Sequence, residues 1–432
     1  MSSPDLADSD RRGVGAALRQ AGLPEDDLQS VIKVLEGPNL SMGPQITAFE
    51  KLFCDYTGAS HAIGVNSGTA GLHLCVRAAG IQTGDLVLTT PFSFISSSNV
   101  ILFENAIPVF VDADPRTGNI DIPRLAEAAR DLSEGGKKAQ RWLPRIGAAV
   151  GAQGLAPDLQ DPASSSSSPA SFSPHPSPLK AILPVDVFGQ PPDMDAIRQI
   201  ASEFGLAVIE DSCEALGSEY KGRKAGRLGD YGVYAFYPNK QITTGEGGVV
   251  VTDDEKAAGF MRALRNQGRA PGDTWLQHTY LGYNYRMDEM SAALGVTQMQ
   301  RIEELLLKRE QVAEWYGERL SNTPGVELYA VEPSTTRMSW FVYVVKLAQG
   351  IDRAAVARAL EARGIPVRPY FAPIHLQPFM VERFGYRLGD FPVTEDLGMR
   401  GLAIPFSSVM TEGMVEQVCR VIRAVLQALP KS

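Results

Sequence analysis

Lys240 is the residue of this chain whose type and position most directly indicate chemistry. It follows an apolar run at 231–236 and precedes a Thr/Gly-rich turn at 243–248. An uncharged lysine amine can attack an aldehyde and form an imine, and desolvation at the end of a strand favours the uncharged form. A lysine taken alone is ordinarily a solvated surface group, so this prediction depends on the whole string around Lys240.

Asp211 follows a second apolar run, at 206–209. A carboxylate in this position can keep the nitrogen of a pyridine ring protonated, which makes the ring an electron sink. The alternative is an ordinary helix N-cap, since aspartate is common between a strand and a helix. The presence of Lys240 further along the chain favours the first interpretation.

Small residues at 66–72 lead from an apolar run into a helical pattern. The start of a helix exposes backbone N–H groups, and the helix dipole favours an anion there. Gly68 allows a close approach of the backbone, and Thr69 adds a hydroxyl donor. A phosphate site and a plain Ser/Thr helix cap both explain this string.

The elements that must position these residues are short apolar runs that alternate with amphipathic segments such as 70–79 and 194–204. This alternation predicts an α/β fold with a mostly parallel sheet that is covered by helices on both faces. Ligands of such sheets gather at the carboxyl ends of the strands, so the chemistry is expected directly after the runs. The predicted strands are 62–65, 86–89, 108–111, 181–187, 206–209, 231–236 and 248–252.

The chain divides into a large domain and a smaller C-terminal one. We predict a flexible N-terminus at 1–26, a large domain at 27–298, and a linking helix with a small α/β domain at 299–432. A Ser/Pro-rich insertion at 133–179 interrupts the large domain and is predicted to be mobile, because it cannot bury enough apolar surface to offset its ordering. Its possible docking residues are Arg141, Trp142 and Arg145. In the small domain the predicted strands are 339–347 and 367–370, and the predicted helices are 353–363 and 412–429.

Composition excludes several classes of protein. The net charge of −9 argues against a nucleic-acid binder, which normally carries a basic face. No apolar run reaches the ~18 residues of a membrane span, and residues 1–12 lack the apolar core of a signal peptide. No cysteine lies in a CxxC pair or at metal-ligand spacing with the histidines. We therefore expect a cytoplasmic protein without a metal site, with reduced thiols at Cys54, Cys75, Cys213 and Cys419.

Taken together, the motifs from about residue 35 to 425, apart from the insertion, resemble a known family. The chain resembles the sugar aminotransferases of the DegT/DnrJ/EryC1/StrS family, within the fold-type-I pyridoxal-phosphate enzymes. Many motifs in the family's order make the match specific. They are Gly43-Pro44 with Phe49-Glu50, then 66–70, Thr90 to Phe94, Phe188-Gly189-Gln190, 193–195, 210–215, the Lys240 string, 282–287 and 375–378.

This resemblance implies a role for each of the matched residues. Lys240 is expected to bind pyridoxal 5′-phosphate covalently and to shuttle a proton between the substrate carbon and the cofactor. Asp211 is expected to pair with the pyridine nitrogen, and Gly68 and Thr69 to bind the phosphate. Phe94 is expected to stack on the ring, with simple core packing as the alternative.

Three further positions are matched with less distinctive signals. Glu214 occupies the place where many relatives have glutamine near the phenolic oxygen of the cofactor, or else it is a structural acceptor. Asn284 matches a residue that reaches the phosphate from the neighbouring subunit, which implies a homodimer with shared active sites. His375 matches a position near the sugar in many relatives, and otherwise it is a loop residue.

One position departs from the family pattern. Many relatives carry a serine five residues before the lysine that donates to the phosphate, whereas this chain has Ala235. Asn239, Thr243 or Thr244 could supply the missing donor. The lysine itself is retained, which argues against the dehydratases of the family, where histidine takes its place.

The implied activity is transfer of an amino group, with glutamate as the expected donor, to a nucleotide-linked keto sugar, with a 4-keto-6-deoxy sugar favoured. An amino-acid aminotransferase of the same fold is the alternative, with Arg286 or Arg368 as candidates for binding a substrate carboxylate. A cysteine desulfurase needs an exposed reactive thiol, which none of the cysteines is placed to provide. A non-catalytic regulator is disfavoured because Lys240 and Asp211 are both present.

Overall fold

Two stretches of the chain, 23–145 and 179–428, are described by the computed structural model. Within them the strands are β1 (His61–Val65), β2 (Leu86–Thr89), β3 (Ile107–Phe110), β4 (Leu179–Ile182), β5 (Ala207–Asp211), β6 (Glu219–Tyr220), β7 (Arg223–Lys224), β8 (Tyr231–Ala235), β9 (Gly248–Thr252), β10 (Val326–Leu328), β11 (Thr335–Arg337), β12 (Tyr343–Leu347), β13 (Arg368–Pro369) and β14 (Gly401–Ile404).

The same stretches contain the helices that cover these strands, and two short 3-10 turns at Val187–Gly189 and Ile374–Leu376. The helices are α1 (Glu25–Leu35), α2 (Pro44–Thr57), α3 (Gly68–Ala78), α4 (Ser96–Phe103), α5 (Ile122–Glu134), α6 (Gly136–Gln140), α7 (Met194–Phe204), α8 (Glu255–Arg265), α9 (Glu289–Gln300), α10 (Ile302–Leu320), α11 (Arg353–Glu361), α12 (Pro378–Phe384), α13 (Pro392–Arg400) and α14 (Glu412–Ala428).

The central sheet has seven strands in the order β1-β9-β8-β5-β4-β2-β3. β3, β2, β4, β5 and β8 pair in parallel, whereas β9 is antiparallel to both β8 and β1. The predicted α/β fold with a mostly parallel sheet is therefore confirmed. The reversed β9 was not predicted; the Gly/Thr-rich connection after β8 contains no crossover helix, and β9 returns antiparallel beside β8. This connection carries Lys240.

Helices cover both faces of the central sheet, as the apolar strands require. α3 and α8 contribute buried residues such as Leu72 and Met261 to the core on one face. α5 and α7 contribute buried residues such as Leu125 and Ile197 on the other face. All five residues of β9 and the last four of β1 are buried, which explains why these strands read as continuous apolar runs.

The C-terminal part forms a second sheet with the order β10-β12-β14-β13, in which every pair is antiparallel. Helices α10, α11 and α14 pack against it around a separate core. A third, small sheet joins the two parts of the chain, because β11 pairs with β6 of the large part. The linking helix begins at Ile302, since the backbone breaks at Arg301, whose guanidinium binds the buried Asp27 carboxylate at 2.7 Å.

The predicted insertion at 133–179 falls mostly outside the described residues, as does most of the predicted flexible N-terminus. Its described start contains the end of α5 and all of α6, and is held by side chains. Trp142 Nε1 donates to Asp131 at 2.8 Å, and Arg145 pairs with the Asp390 carboxylate. Across residues 23–145 and 179–428, no helix is long and apolar enough to cross a membrane, and no group of three or more His, Cys, Asp or Glu is placed to hold a metal ion.

Candidate active site

A cavity of about 750 Å³ opens at the carboxyl ends of β5 and β8, beside the starts of α3 and α4. Residues from the C-terminal part of the chain, between 369 and 377, also line it. This volume is typical of a pocket for a cofactor or other small molecule. The cavity brings together Lys240, Asp211, Gly68, Thr69, Phe94, Glu214 and Asn239, all of which were predicted from sequence as site residues.

The Lys240 amine lies between a carboxylate and an aromatic ring. Its Nζ is 3.7 Å from Oε1 of Glu214 and 3.9 Å from the centre of the Phe341 ring. The lysine side chain is only 13% exposed. Its backbone N–H donates to the Tyr237 carbonyl at 2.9 Å, which fixes the tight turn after β8. A partly desolvated amine with an open cavity in front of it is suited to nucleophilic attack on a carbonyl.

Glu214 is buried, and burial raises its pKa to about 7. The nearby Lys240 ammonium lowers this pKa, as does the backbone N–H of Phe188, which donates to Oε2 at 2.9 Å. Neither interaction overcomes the cost of desolvating the carboxylate. Glu214 is thus poised to exchange a proton near neutral pH beside the Lys240 amine.

The Asp211 carboxylate is held in a fixed orientation at the end of β5. Its Oδ2 accepts a hydrogen bond from Ser97 Oγ at 2.8 Å, and its Oδ1 accepts from the Cys213 N–H at 3.2 Å. Ser97 is itself 3.0 Å from Ser93 Oγ. The carboxylate is buried and lines the cavity, so it can present an oxygen to a ring nitrogen.

The start of α3 is packed tightly against β8. Ser67 caps the helix by accepting from the Ala70 N–H at 3.1 Å. A Cβ at Gly68 would lie 2.6 Å from Ala235 Cβ and 2.9 Å from Cys213 Sγ, so only glycine allows this approach. Thr69 Oγ1 lies 2.9 Å from Ser96 Oγ, and both residues line the cavity. The first N–H groups of a helix have no partner within it, and here they begin at the cavity wall.

Of the three residues that could replace the phosphate donor missing at Ala235, only one lines the cavity. Thr243 Oγ1 donates to the Phe236 carbonyl at 3.2 Å, and Thr244 Oγ1 donates to the Glu246 carbonyl at 2.6 Å. Neither threonine is among the residues that line the cavity, whereas Asn239 is.

The structure does not bring His375 into the cavity, in contrast to the predicted contact with substrate. The ring is fully buried, 4.7 Å from the Phe391 ring, and its Nε2 lies 2.9 Å from Glu395 Oε1. Burial lowers the pKa of this histidine. Its ring therefore anchors the loop, while the neighbouring Ile374 and Gln377 line the cavity instead.

Asn284 lies on the protein surface, outside the cavity of its own chain. It is flanked by Tyr283 and Tyr285, whose rings stack with centres 4.8 Å apart. Its carbonyl accepts from Nδ2 of Asn66 at 3.2 Å, next to the start of α3. These contacts anchor the segment, and Asn284 itself is exposed.

Several residues of the site were not predicted from sequence. Ser96 and Ser97 belong to three consecutive serines that follow β2. This cluster of hydroxyls after a strand could have indicated site residues. Phe341 and Arg309 come from distant parts of the chain and carry no local pattern. Arg309 Nη2 donates to the Lys240 carbonyl at 2.7 Å and Nη1 to the Phe341 carbonyl at 3.2 Å, and burial lowers the pKa of this guanidinium to about 10.

All four cysteines are free thiols, in agreement with the sequence analysis. Cys213 is the one that lines the cavity, and burial raises the pKa of its thiol. A protonated thiol is a poor nucleophile, so the site does not have the chemistry of a cysteine desulfurase.

The fold and this cavity define a class of protein: an aminotransferase of the fold-type-I pyridoxal-phosphate kind. The solved structure of S. venezuelae DesV superposes with a TM-score of 0.78 at 27% identity, and the match covers 98% of each chain. A DegT DnrJ EryC1 StrS aminotransferase from Brucella abortus gives a TM-score of 0.78 at 26% identity, over 95% of this chain and 98% of that one.

The family follows from the sequence comparisons. The family model for DegT/DnrJ/EryC1/StrS aminotransferases matches residues 22–134 and 172–423. GDP-perosamine synthase from Caulobacter vibrioides is 35% identical over 388 residues, which cover 89% of this chain and 91% of that protein. The chain belongs to the DegT/DnrJ/EryC1/StrS aminotransferase family, whose aminotransferases depend on pyridoxal phosphate. The resemblance and the enzyme class predicted from the motifs are confirmed.

Proposed function

We propose that the chain transfers an amino group from glutamate to the ketone of a nucleotide-linked sugar, with pyridoxal 5′-phosphate held in the cavity. The observation that carries this proposal is the convergence of three groups on one cavity. They are the amine of Lys240, the carboxylate of Asp211 and the helix start at Gly68 and Thr69.

The residues present fit this cofactor. Lys240 offers an amine for its aldehyde, Asp211 offers a carboxylate for its ring nitrogen, and the start of α3 offers N–H and hydroxyl donors for its phosphate. The absence of a Cβ at Gly68 keeps the helix start close to Ala235 at the cavity wall. Phe94 is 62% exposed in the single chain and lines the cavity, so its ring is free to cover one face of a planar ligand.

Bound pyridoxal phosphate supplies an aldehyde that binds amines and a protonated ring that accepts electrons. Lys240 would hold the aldehyde until a substrate amine displaces it, and its freed Nζ would then move a proton between the substrate carbon that bears the nitrogen and the cofactor. Asp211, oriented by Ser97, would keep the ring nitrogen protonated. Glu214 would offer its carboxyl group to the phenolic oxygen, and Asn239, which lines the cavity, would offer its amide as a donor. The enzyme thus supplies orientation, a ring charge state and one base.

The names of two relatives support a sugar-linked substrate. One is the GDP-perosamine synthase described above. The other is the spore coat polysaccharide biosynthesis protein SpsC of Bacillus subtilis, which is 32% identical over 416 residues and spans 93% of this chain and 95% of that protein. We favour a 4-keto-6-deoxy sugar as the acceptor. Arg286 and Arg368, which we considered as binders of an amino-acid carboxylate, do not line the cavity, and Arg368 is 72% exposed. No observation favours the amino-acid aminotransferase.

A homodimer with shared sites completes this proposal. Asn284 is exposed and lies outside the cavity of its own chain, as expected of a residue that serves the site of a second copy.

The proposal is tested by incubating the purified enzyme with glutamate and a panel of nucleotide-linked keto sugars, with detection of an amino-sugar product by mass. The protein is expected to be yellow and to lose this absorbance on borohydride reduction. A protein that stays colourless after addition of pyridoxal phosphate, and that aminates no member of the panel, would overturn the proposal.

A further inference from the structure

The three consecutive serines at the start of α4 have three different partners. Ser96 Oγ lies 2.9 Å from Thr69 Oγ1, Ser97 Oγ donates to Asp211 at 2.8 Å, and Ser98 Oγ donates to the Ile95 carbonyl at 3.1 Å. Of these three serines, Ser96 is the one that lines the cavity. The proposed function uses Ser97 and leaves Ser96 without a role.

Ser96 and Thr69 stand at the starts of two different helices. Ser96 is the first residue of α4, and Thr69 is the second residue of α3. In α4 the N–H groups of Ser97 and Ser98 already donate to the Phe94 and Ile95 carbonyls, so the N–H groups offered to a ligand are those at the start of α3. The dipoles of both helices favour negative charge at this point. The two hydroxyls therefore meet where an anion would be stabilised.

A pair of hydroxyls in mutual contact has one hydrogen to spare. Each hydroxyl carries a single hydrogen, and one of them fills the contact between Ser96 and Thr69. The other hydrogen is available to an acceptor in the cavity. Ser93 is occupied with Ser97, and Ser67 caps α3, so these neighbouring hydroxyls have partners already.

The end of β8, which packs against the start of α3, offers no free hydroxyl hydrogen. Ala235 lines the cavity there with a methyl group, close to the backbone of Gly68. Thr243 and Thr244, which follow in the same loop, direct their hydroxyls to backbone carbonyls. A phosphate at the start of α3 thus meets the hydroxyl pair of Ser96 and Thr69 in the cavity lining, whereas Ala235 presents a methyl group and Asn239 an amide in place of a hydroxyl.

We propose that Ser96, paired with Thr69, binds the phosphate of the cofactor and supplies the hydroxyl donor that Ala235 does not provide. The inference rests on the proposed function, because it takes pyridoxal 5′-phosphate as the ligand. It assigns a binding residue that the sequence motifs did not indicate.

The test compares pyridoxal 5′-phosphate with pyridoxal, which lacks the phosphate. Both are titrated into the full chain after removal of its cofactor, and binding is followed by absorbance. Ser96→Ala is expected to weaken binding of pyridoxal phosphate about tenfold, the cost of losing a hydrogen bond to a charged group, and to leave the affinity for pyridoxal unchanged. Ser98→Ala, on the same helix with a hydroxyl outside the cavity, is the matched control and is expected to change neither affinity.

A rescue variant tests whether the hydroxyl of Ser96 acts as a hydrogen-bond donor or only fills space. Ser96→Ala combined with Ala235→Ser is expected to regain most of the lost affinity for pyridoxal phosphate. If Ser96→Ala does not fold, the isosteric pair Ser96→Thr and Ser96→Val replaces it, and threonine is expected to keep the affinity that valine loses. Equal losses for both ligands, or no loss for pyridoxal phosphate, would overturn the inference. A wild-type chain that binds neither ligand would instead refute the proposed function.

Discussion

Lys240 Nζ and Glu214 Oε1 lie 3.7 Å apart inside the cavity, where both side chains are largely shielded from water. An ammonium at this distance favours the ionised carboxylate, yet burial is the larger effect and raises the pKa of Glu214 to about 7. The carboxyl therefore gains and loses its proton within the physiological range. This places a titratable group beside the lysine that we propose to hold the cofactor.

The raised pKa of Glu214 predicts a loss of stability with rising pH. The unfolded carboxyl ionises at its ordinary pKa of 4.5 and the folded one only at about 7, so the free energy of unfolding falls as the pH rises between these values. The full difference corresponds to about 3 kcal/mol. Glu214→Gln removes it, so in the cofactor-free protein the variant should gain stability relative to wild type from pH 5 to 7, as measured by urea unfolding.

Glu246 provides the control for this measurement, because it also lines the cavity but is exposed to solvent, whereas Glu214 is buried. The free energy of unfolding of Glu246→Gln is expected to change with pH in the same way as that of wild type across this range. If the free energy of unfolding of Glu214→Gln also changes with pH as that of wild type does, then the pKa of Glu214 is not raised in the folded protein.

Lys240→Ala is expected to lower turnover roughly a thousandfold or more, because it removes both the covalent link and the proton-transferring base. The melting temperature should change little, since the amine faces the cavity. Lys240→Arg is the matched control: it keeps the positive charge beside Glu214 but cannot form the link. Both variants should fail to retain cofactor after borohydride treatment and gel filtration, and turnover close to wild type in either would contradict the assignment.

The part of the site that is local in sequence could be predicted, and the part that is assembled by packing could not. Lys240, Asp211 and Gly68 each follow an apolar run, and strand ends of a parallel sheet converge on one edge, so their grouping was expected. The Phe341 ring reaches Lys240 from the small domain, and no pattern around it indicates this contact. The proposed roles of these residues remain predictions.

His375 shows how a matched motif can mislead. The loop does reach the cavity, but through Ile374 and Gln377, because the imidazole is drawn into a buried contact with Glu395. That partner lies 20 residues further along the chain and meets His375 only in the folded protein. The break at Arg301 in the predicted linking helix was not predicted either, and the side chain of Arg301 contacts Asp27, which is far away in the sequence.

Ser97→Ala tests how firmly Asp211 must be oriented. The variant removes the 2.8 Å hydrogen bond to Oδ2 and leaves the Cys213 N–H on Oδ1. A neutral donor to a buried carboxylate contributes on the order of 1.5 kcal/mol, so kcat is expected to fall roughly tenfold. Cofactor affinity should be nearly unchanged, because the phosphate contacts are intact. A larger effect on cofactor affinity than on kcat would contradict this role.

Asn284→Ala tests the shared site by complementation. Alone, this variant should lose cofactor faster than wild type on dialysis, and Lys240→Ala should be inactive. A mixed dimer of the two holds one intact site, with Lys240 from one chain and Asn284 from the other. At limiting cofactor, mixing should restore about a quarter of wild-type activity, because half of randomly assorted dimers are mixed and each has one intact site. No recovery on mixing, with dimer exchange verified by size and tag, would contradict the shared-site arrangement.

Arg309 is expected to position Lys240 without touching the substrate. Its guanidinium donates to the carbonyls of Lys240 and Phe341, and so it fixes both the lysine and the ring that packs 3.9 Å from Nζ. Arg309→Met should lower kcat about tenfold or more. It leaves the carbonyls of Lys240 and Phe341 without their donor, so the turn that carries Lys240 is no longer held in place. The KM for the sugar should stay the same, since Arg309 contacts residues that line the cavity but does not line it itself.

Two comparisons distinguish positioning by Arg309 from general stabilisation. Arg309→Lys keeps the charge but reaches fewer carbonyls, so its kcat should lie between those of wild type and Arg309→Met. In a double-mutant cycle with Phe341→Leu, the losses in kcat should be less than additive, because both changes disturb the same contact between Lys240 and the Phe341 ring. Strictly additive losses, or a fall in kcat that only follows the unfolded fraction, would show that Arg309 serves the fold and not the lysine.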